Sequence, residues 1–148
     1  MNAPTLFNRR NFLKGTIAVT AFPQIITTIK ADTLPVVGQG DYQYEVIHQW
    51  AKLPDRFTWQ TTHNVAVDRE GFLYVIHEGI AELRDHPSIF VFDPHGRYVR
   101  SFGSQFQGGG HGLEVREENG EEFLYVSAYQ HLKIFAKFTL SGETVWEK

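Results

Sequence analysis

His63-Asn64-Val65-Ala66-Val67-Asp68-Arg69-Glu70-Gly71-Phe72-Leu73-Tyr74-Val75 returns later in the chain as His111-Gly112-Leu113-Glu114-Val115-Arg116-Glu117-Glu118-Asn119-Gly120-Glu121-Glu122-Phe123-Leu124-Tyr125-Val126. The opening histidines are 48 positions apart and the Leu-Tyr-Val triplets 51 apart, so the second copy carries three extra residues in its turn. Surface turns tolerate such insertions. The likeness continues. Ile89-Phe90 aligns with Ile134-Phe135, Asp93-Pro94-His95-Gly96 with Thr139-Leu140-Ser141-Gly142, and Tyr98–Phe102 with Thr144–Trp146. A period of 45–51 residues holding four short strands marks a propeller blade.

Each turn in the repeat has a local cause. Asp68-Arg69-Glu70-Gly71 and Glu118-Asn119-Gly120 supply residues that accept positive φ in a hairpin. In Asp93-Pro94-His95-Gly96 the proline presets φ and the glycine closes the turn. The strands Phe72-Leu73-Tyr74-Val75-Ile76 and Ile89-Phe90-Val91-Phe92 are apolar on both faces, where a half-exposed hairpin would alternate. Such strands need cover on both sides. The expected fold is all-β: a β-propeller with about two four-stranded blades in this chain, at residues 60–103 and 108–148. A strand at 42–50, read from alternating Tyr42, Tyr44 and Val46, precedes them.

Composition agrees. Aromatic residues make up 14% of the chain, with 12 Phe and 6 Tyr, which favours strands. Fourteen basic and 17 acidic side chains leave no basic stripe, which argues against a nucleic-acid partner. The absence of cysteine excludes disulfides, thiolate metal sites and thiol nucleophiles.

Residues 1–31 differ in character. Arg9, Arg10, Phe12, Leu13 and Lys14 precede a weakly apolar run, Gly15 to Ile29, interrupted by Pro23 and several threonines. That run is too polar for a stable membrane span, which needs about 20 strongly apolar residues. Its layout is that of a bacterial export signal and resembles the twin-arginine class. The resemblance implies passage through the twin-arginine (Tat) translocase to a periplasmic or secreted location. Residues 32–40 are expected to be a linker, and 41–148 the partial propeller.

The pattern His-x-apolar-x-Val-Asp-x-x-Gly-x-apolar-Tyr-Val, followed by a strand ending Phe-Asp-x-x-Gly, resembles the NHL-repeat class of six-bladed propellers over residues 41–148. The class includes scaffolds, sugar-lactone-type hydrolases and a lyase. The histidines that open each repeat make the chain similar to peptidyl-hydroxyglycine amidating lyase propellers (peptidylamidoglycolate lyases). That resemblance implies a channel zinc held by histidines from different blades, with calcium also expected in the complete propeller. Six repeats of about 45 residues exceed this length, so the sequence is expected to be an N-terminal piece of a longer protein.

In a four-stranded blade, the start of the first strand and the loop between the second and third strands share one rim. His63 and His111 open first strands, and His86 and His131 fall in second-to-third loops. His77 closes a second strand beside Glu78, and Trp59, Arg84 and Tyr129 fall near the same rim, while His95 lies in a turn at the opposite one. His63 and His111 are candidate metal ligands, since neutral imidazoles suit zinc; the other reading is that they cap strand ends. His77, His86, His131 and Tyr129 are candidates for binding a small molecule or peptide at the rim. Gly108-Gly109-Gly110 precedes a strand rather than a helix, which argues against a phosphate cradle. Two functions follow: a metal-dependent lyase or hydrolase, or a non-catalytic interaction scaffold.

Overall fold

The computed structural model describes residues 34–148; the expected export signal, Arg9 to Lys14, lies outside them. These residues form ten strands in three antiparallel sheets. Strands β1 (Val36–Gln39) and β2 (Tyr42–Glu45) make a two-stranded hairpin. Sheet 1 has the order β3 (Thr62–Val67), β4 (Leu73–His77), β5 (Ile89–Phe92), β6 (Tyr98–Phe102). Sheet 2 repeats that order with β7 (Gly110–Glu118), β8 (Glu121–Ala128), β9 (Phe135–Thr139) and β10 (Thr144–Glu147). Among the described residues no helix is long and apolar enough to cross a membrane.

Two expectations are corrected. Residues 32–40 are not simply a linker, because Val36–Gln39 is a strand. The strand expected at 42–50 ends at Glu45 and belongs to the hairpin, with Gln39 opposite Tyr42 across Gly40-Asp41. A glycine followed by aspartate, with Gly40 at φ 59°, is the two-residue turn that makes this pairing. Trp50, Ala51, Leu53 and Phe57 then pack on one face of sheet 1.

One turn design recurs three times. The Asp68 carboxylate accepts hydrogen bonds from the N–H groups of Glu70 and Phe72, and its carbonyl from Gly71. Asp93 does the same for His95 and Arg97, with Gly96 bonded to its carbonyl. Thr139 takes the place of aspartate in the third, its hydroxyl accepting from Glu143 N–H and its carbonyl from Gly142. A side-chain oxygen mimics a backbone turn in each, and a glycine at positive φ finishes it.

The register aligns the two sheets and shifts one alignment by a residue. Val75 faces Phe90 across sheet 1, and Val126 faces Ala136 across sheet 2. Phe90 therefore corresponds to Ala136, not to Phe135. Side chains alternate along a strand, so a slip of one moves every residue to the other face. Phe135 accordingly stands 47% exposed on the outer face of sheet 2.

The main core lies between the sheets. Tyr74, Ile76, Ile89 and Val91 of sheet 1 meet Leu113, Leu124, Val126, Ala136 and Phe138 of sheet 2, with Phe106 between. The opposite face of sheet 1 buries Val75, Phe90 and Phe92 under the 50–57 segment. At the turn end of the core, the Tyr74 hydroxyl donates to Asp68 at 3.1 Å and accepts from Arg100 at 3.2 Å, and Arg100 also holds the Leu140 carbonyl. Burial, and then the Asp68 charge, push the Tyr74 phenol well above its ordinary range.

Phe138 is almost fully buried, edge-on to Phe106 and 5.8 Å from Phe102. Phe138→Ala is expected to cost about 3–5 kcal/mol, through lost transfer energy and the cavity left behind. Urea unfolding of the variant and the parent protein checks this.

Candidate functional site

Sheet 1 hands the chain to sheet 2 through Gly108-Gly109-Gly110. All three N–H groups point at the Glu78 carbonyl, at 2.9, 2.9 and 3.2 Å, and the Gly109 carbonyl accepts from Tyr129 N–H at 2.9 Å. A Cβ on Gly110 would stand 2.2 Å from the His77 carbonyl, and one on Gly109 2.8 Å from the Tyr129 carbonyl. The glycines are thus needed for close backbone approach, and their donors are engaged within the protein. The crossover brings the end of β4, the start of β7 and the end of β8 to one place.

Five side chains converge there. His63, in β3, and His111, in β7, stand with ring centres 4.6 Å apart, although they come from different sheets. Glu78 lies against His63. One carboxylate oxygen is 3.3 Å from His63 Nε2. The other accepts from the Tyr129 hydroxyl at 2.7 Å and the Gln130 amide at 2.9 Å. Tyr129 stands edge-on to His111 at 4.8 Å. The hydrogen bond from Tyr129, then that from His63, holds the Glu78 carboxyl below its ordinary range. The same bond from Tyr129 to Glu78 raises the phenol. Glu78 is therefore an ionised acceptor that orients two neighbours, and Tyr129 is a hydrogen-bond donor that keeps its proton. Among the described residues no three His, Asp or Glu side chains are placed to close around one metal ion.

The other candidates separate from this cluster. His131 lines a different cleft of about 400 Å³ with Arg84, Ser104, Gln105 and Gln107. His77 is not a rim residue as expected. Ile76 points into the core between the sheets, so alternation turns His77 to the far face of sheet 1, where it is fully buried. It lies 5.3 Å from Trp59 and 4.8 Å from Phe90, ring centre to ring centre. His86 is half-buried on that same side, against Phe57 and Phe90. His95 lies in its expected turn at the other end.

Two contributors were not singled out from sequence. Gln130 follows Tyr129 with no motif to mark it. Gln107 is buried, accepts from Ile80 N–H at 2.8 Å and donates to Ser88 at 2.9 Å, which ties the 78–80 segment to the crossover. Its only sequence signal was its place before the glycine run.

Compared with family models, curated proteins and solved structures, the chain matches none.

Burial, and secondarily His86, lower the His77 pKa from 6.5 to about 4. Above pH 6.5 both the folded and unfolded forms are neutral at this residue. Between pH 6.5 and 4 the unfolded chain binds a proton that the folded one refuses, so stability falls as pH falls. The loss should reach about 3 kcal/mol near pH 4. Urea midpoints measured from pH 7.5 to 4.5 should drop accordingly, and His77→Leu should flatten the dependence. An unchanged slope in that variant would refute the assignment.

Proposed function

We propose that residues 41–148 form two successive blades of an exported NHL-type β-propeller that binds a small molecule or peptide at the rim carrying His63, His111, Glu78 and Tyr129. The stacking of the sheets supports the propeller. Tyr74, Ile76, Ile89 and Val91 of sheet 1 face sheet 2, which answers with Leu124, Val126, Ala136 and Phe138. By register these four occupy the places of Leu73, Val75, Phe90 and Phe92. The sheets therefore stack head to tail, with β3 beside β7, and head-to-tail stacking propagates a repeat.

The observation that carries the rim reading is the meeting of two strand-opening histidines, one from each repeat, with ring centres 4.6 Å apart and His63 held by the Glu78 carboxylate. As an enzyme the protein would be a metal-dependent lyase or hydrolase of the peptidylamidoglycolate lyase kind. His63 and His111 would supply two nitrogens to zinc, with further ligands from outside the described residues. Glu78 would orient His63 through Nε2, as outer carboxylates do for metal-bound imidazoles. Zinc bound there would supply Lewis acidity toward a substrate oxygen or a bound water. Tyr129, whose single O–H is donated to Glu78, would offer its phenol oxygen as an acceptor to a donor group of the ligand.

A second reading, a non-catalytic interaction scaffold, draws on the outer face of sheet 2. Phe135 there is 47% exposed and packs against Trp146, ring centres 5.5 Å apart.

Zinc titration of the full-length protein separates the two. One zinc per chain is expected, with His63→Ala plus His111→Ala abolishing uptake and Glu78→Gln weakening it about 10–100-fold. Zinc uptake that the double variant leaves unchanged would refute the rim assignment. Absence of any uptake would favour the scaffold.

A further inference from the structure

On the face of sheet 1 turned away from sheet 2, His77 is fully buried and His86 half-buried, and three of their four ring nitrogens lack a partner among the described residues. Neither Nδ1 nor Nε2 of the fully buried His77 has one. His86 Nδ1 lies 2.9 Å from the Pro87 carbonyl, so the proton sits on Nδ1 and Nε2 is left as a buried lone-pair nitrogen. The ring centres are 6.5 Å apart and their planes lie within 23° of parallel. Phe90, Phe57 and Trp59 wall the pair and offer no oxygen or sulfur acceptor.

Such a pair is costly if it only fills space. A buried polar atom without a partner costs about 1–3 kcal/mol. The neighbours on the same face of the sheet, Val75, Phe90 and Phe92, are apolar, and a leucine at position 77 would avoid the cost.

We infer that His77 and His86 form a buried two-nitrogen site for monovalent copper, separate from the histidine pair at the rim. Imidazole nitrogen is a ligand for copper, nickel and zinc. Zinc in a protein takes four ligands in a tetrahedron, and the aromatic walls supply none beyond the two rings. Cu(I) is a closed-shell ion that accepts two neutral nitrogens in line. Its single charge limits the desolvation penalty in an apolar pocket, and aromatic faces attract a cation. The spacing fits. A metal–imidazole bond of about 2.0 Å, with half a ring added on each side, separates the centres of two rings on one near-linear ion by roughly 6–6.5 Å. His77 is also in the right protonation state, since burial keeps it neutral at pH 7 and metals bind the deprotonated ring.

The site stands independently of the rim reading, and the test separates them. Full-length protein is titrated anaerobically with Cu(I) against a chromogenic bidentate chelator. We expect one Cu(I) per chain and an X-ray absorption spectrum showing two nitrogen ligands. His86→Leu, at a half-buried position, should weaken binding at least about 100-fold while circular dichroism and the melting profile show a folded protein. His63→Ala with His111→Ala should leave binding unchanged. The proposal is overturned if the parent protein takes no Cu(I) from the chelator, or if its spectrum shows three or more ligands. It is equally overturned if folded His86→Leu keeps the parent affinity, or if the loss follows the rim variant instead. Should His86→Leu not fold, the parent spectrum and His86→Gln decide the question.

Discussion

Sheet 1 is oily on both faces, and the rest of the structure depends on covering it. Strands β4 and β5 bury Tyr74, Ile76, Ile89 and Val91 on one side and Val75, Phe90 and Phe92 on the other. A strand with two apolar faces cannot stand at a surface. Sheet 2 covers one face and the 50–57 segment the other. Burying this much apolar area, at about 25 cal/mol per Å², is what sets the two four-stranded units against each other. The two histidines can meet only because that stacking brings β3 beside β7.

The crossover then converts packing into a site. Three successive glycine N–H groups on the Glu78 carbonyl leave little freedom in how the end of β4 approaches the start of β7. Glu78 is anchored through its backbone and aims its carboxylate at His63, Tyr129 and Gln130. A rigid carboxylate sharing two oxygens among three donors is a preorganised arrangement. It fixes the imidazole of His63 and the phenol of Tyr129 with no dedicated loop.

The two repeats share an architecture and differ in what their equivalent faces meet. The Tyr74–Asp68–Arg100 network of sheet 1 is covered by sheet 2. Its counterpart on sheet 2 joins Tyr125 and Lys137 to Glu118. The bonds from Lys137 and Tyr125 lower the Glu118 carboxyl, and the bond to Glu118 raises the Lys137 amine. The cation comes from the fourth strand in one sheet and the third in the other, so the contact recurs although the residue that makes it does not.

Much of the fold was legible in the residues because the signals are local. Asp68-Arg69-Glu70-Gly71, Asp93-Pro94-His95-Gly96 and Asn119-Gly120 dictate turns by their own hydrogen bonding and φ preferences, and the apolar runs between them have strand length. The Gly40-Asp41 hairpin carries the same kind of local signal. The pairing of His63 with His111 was legible as a repeat, without its distance. Tertiary structure alone decided the facing of His77, the outward turn of Phe135 and the role of Glu78. Each follows from register or from a backbone contact across 30 residues or so of chain. A one-residue register shift changes no local propensity and yet moves a side chain from surface to core. Composition and spacing therefore determined which strands and turns this chain makes, and only the stacking of its sheets decided which side chains share a site.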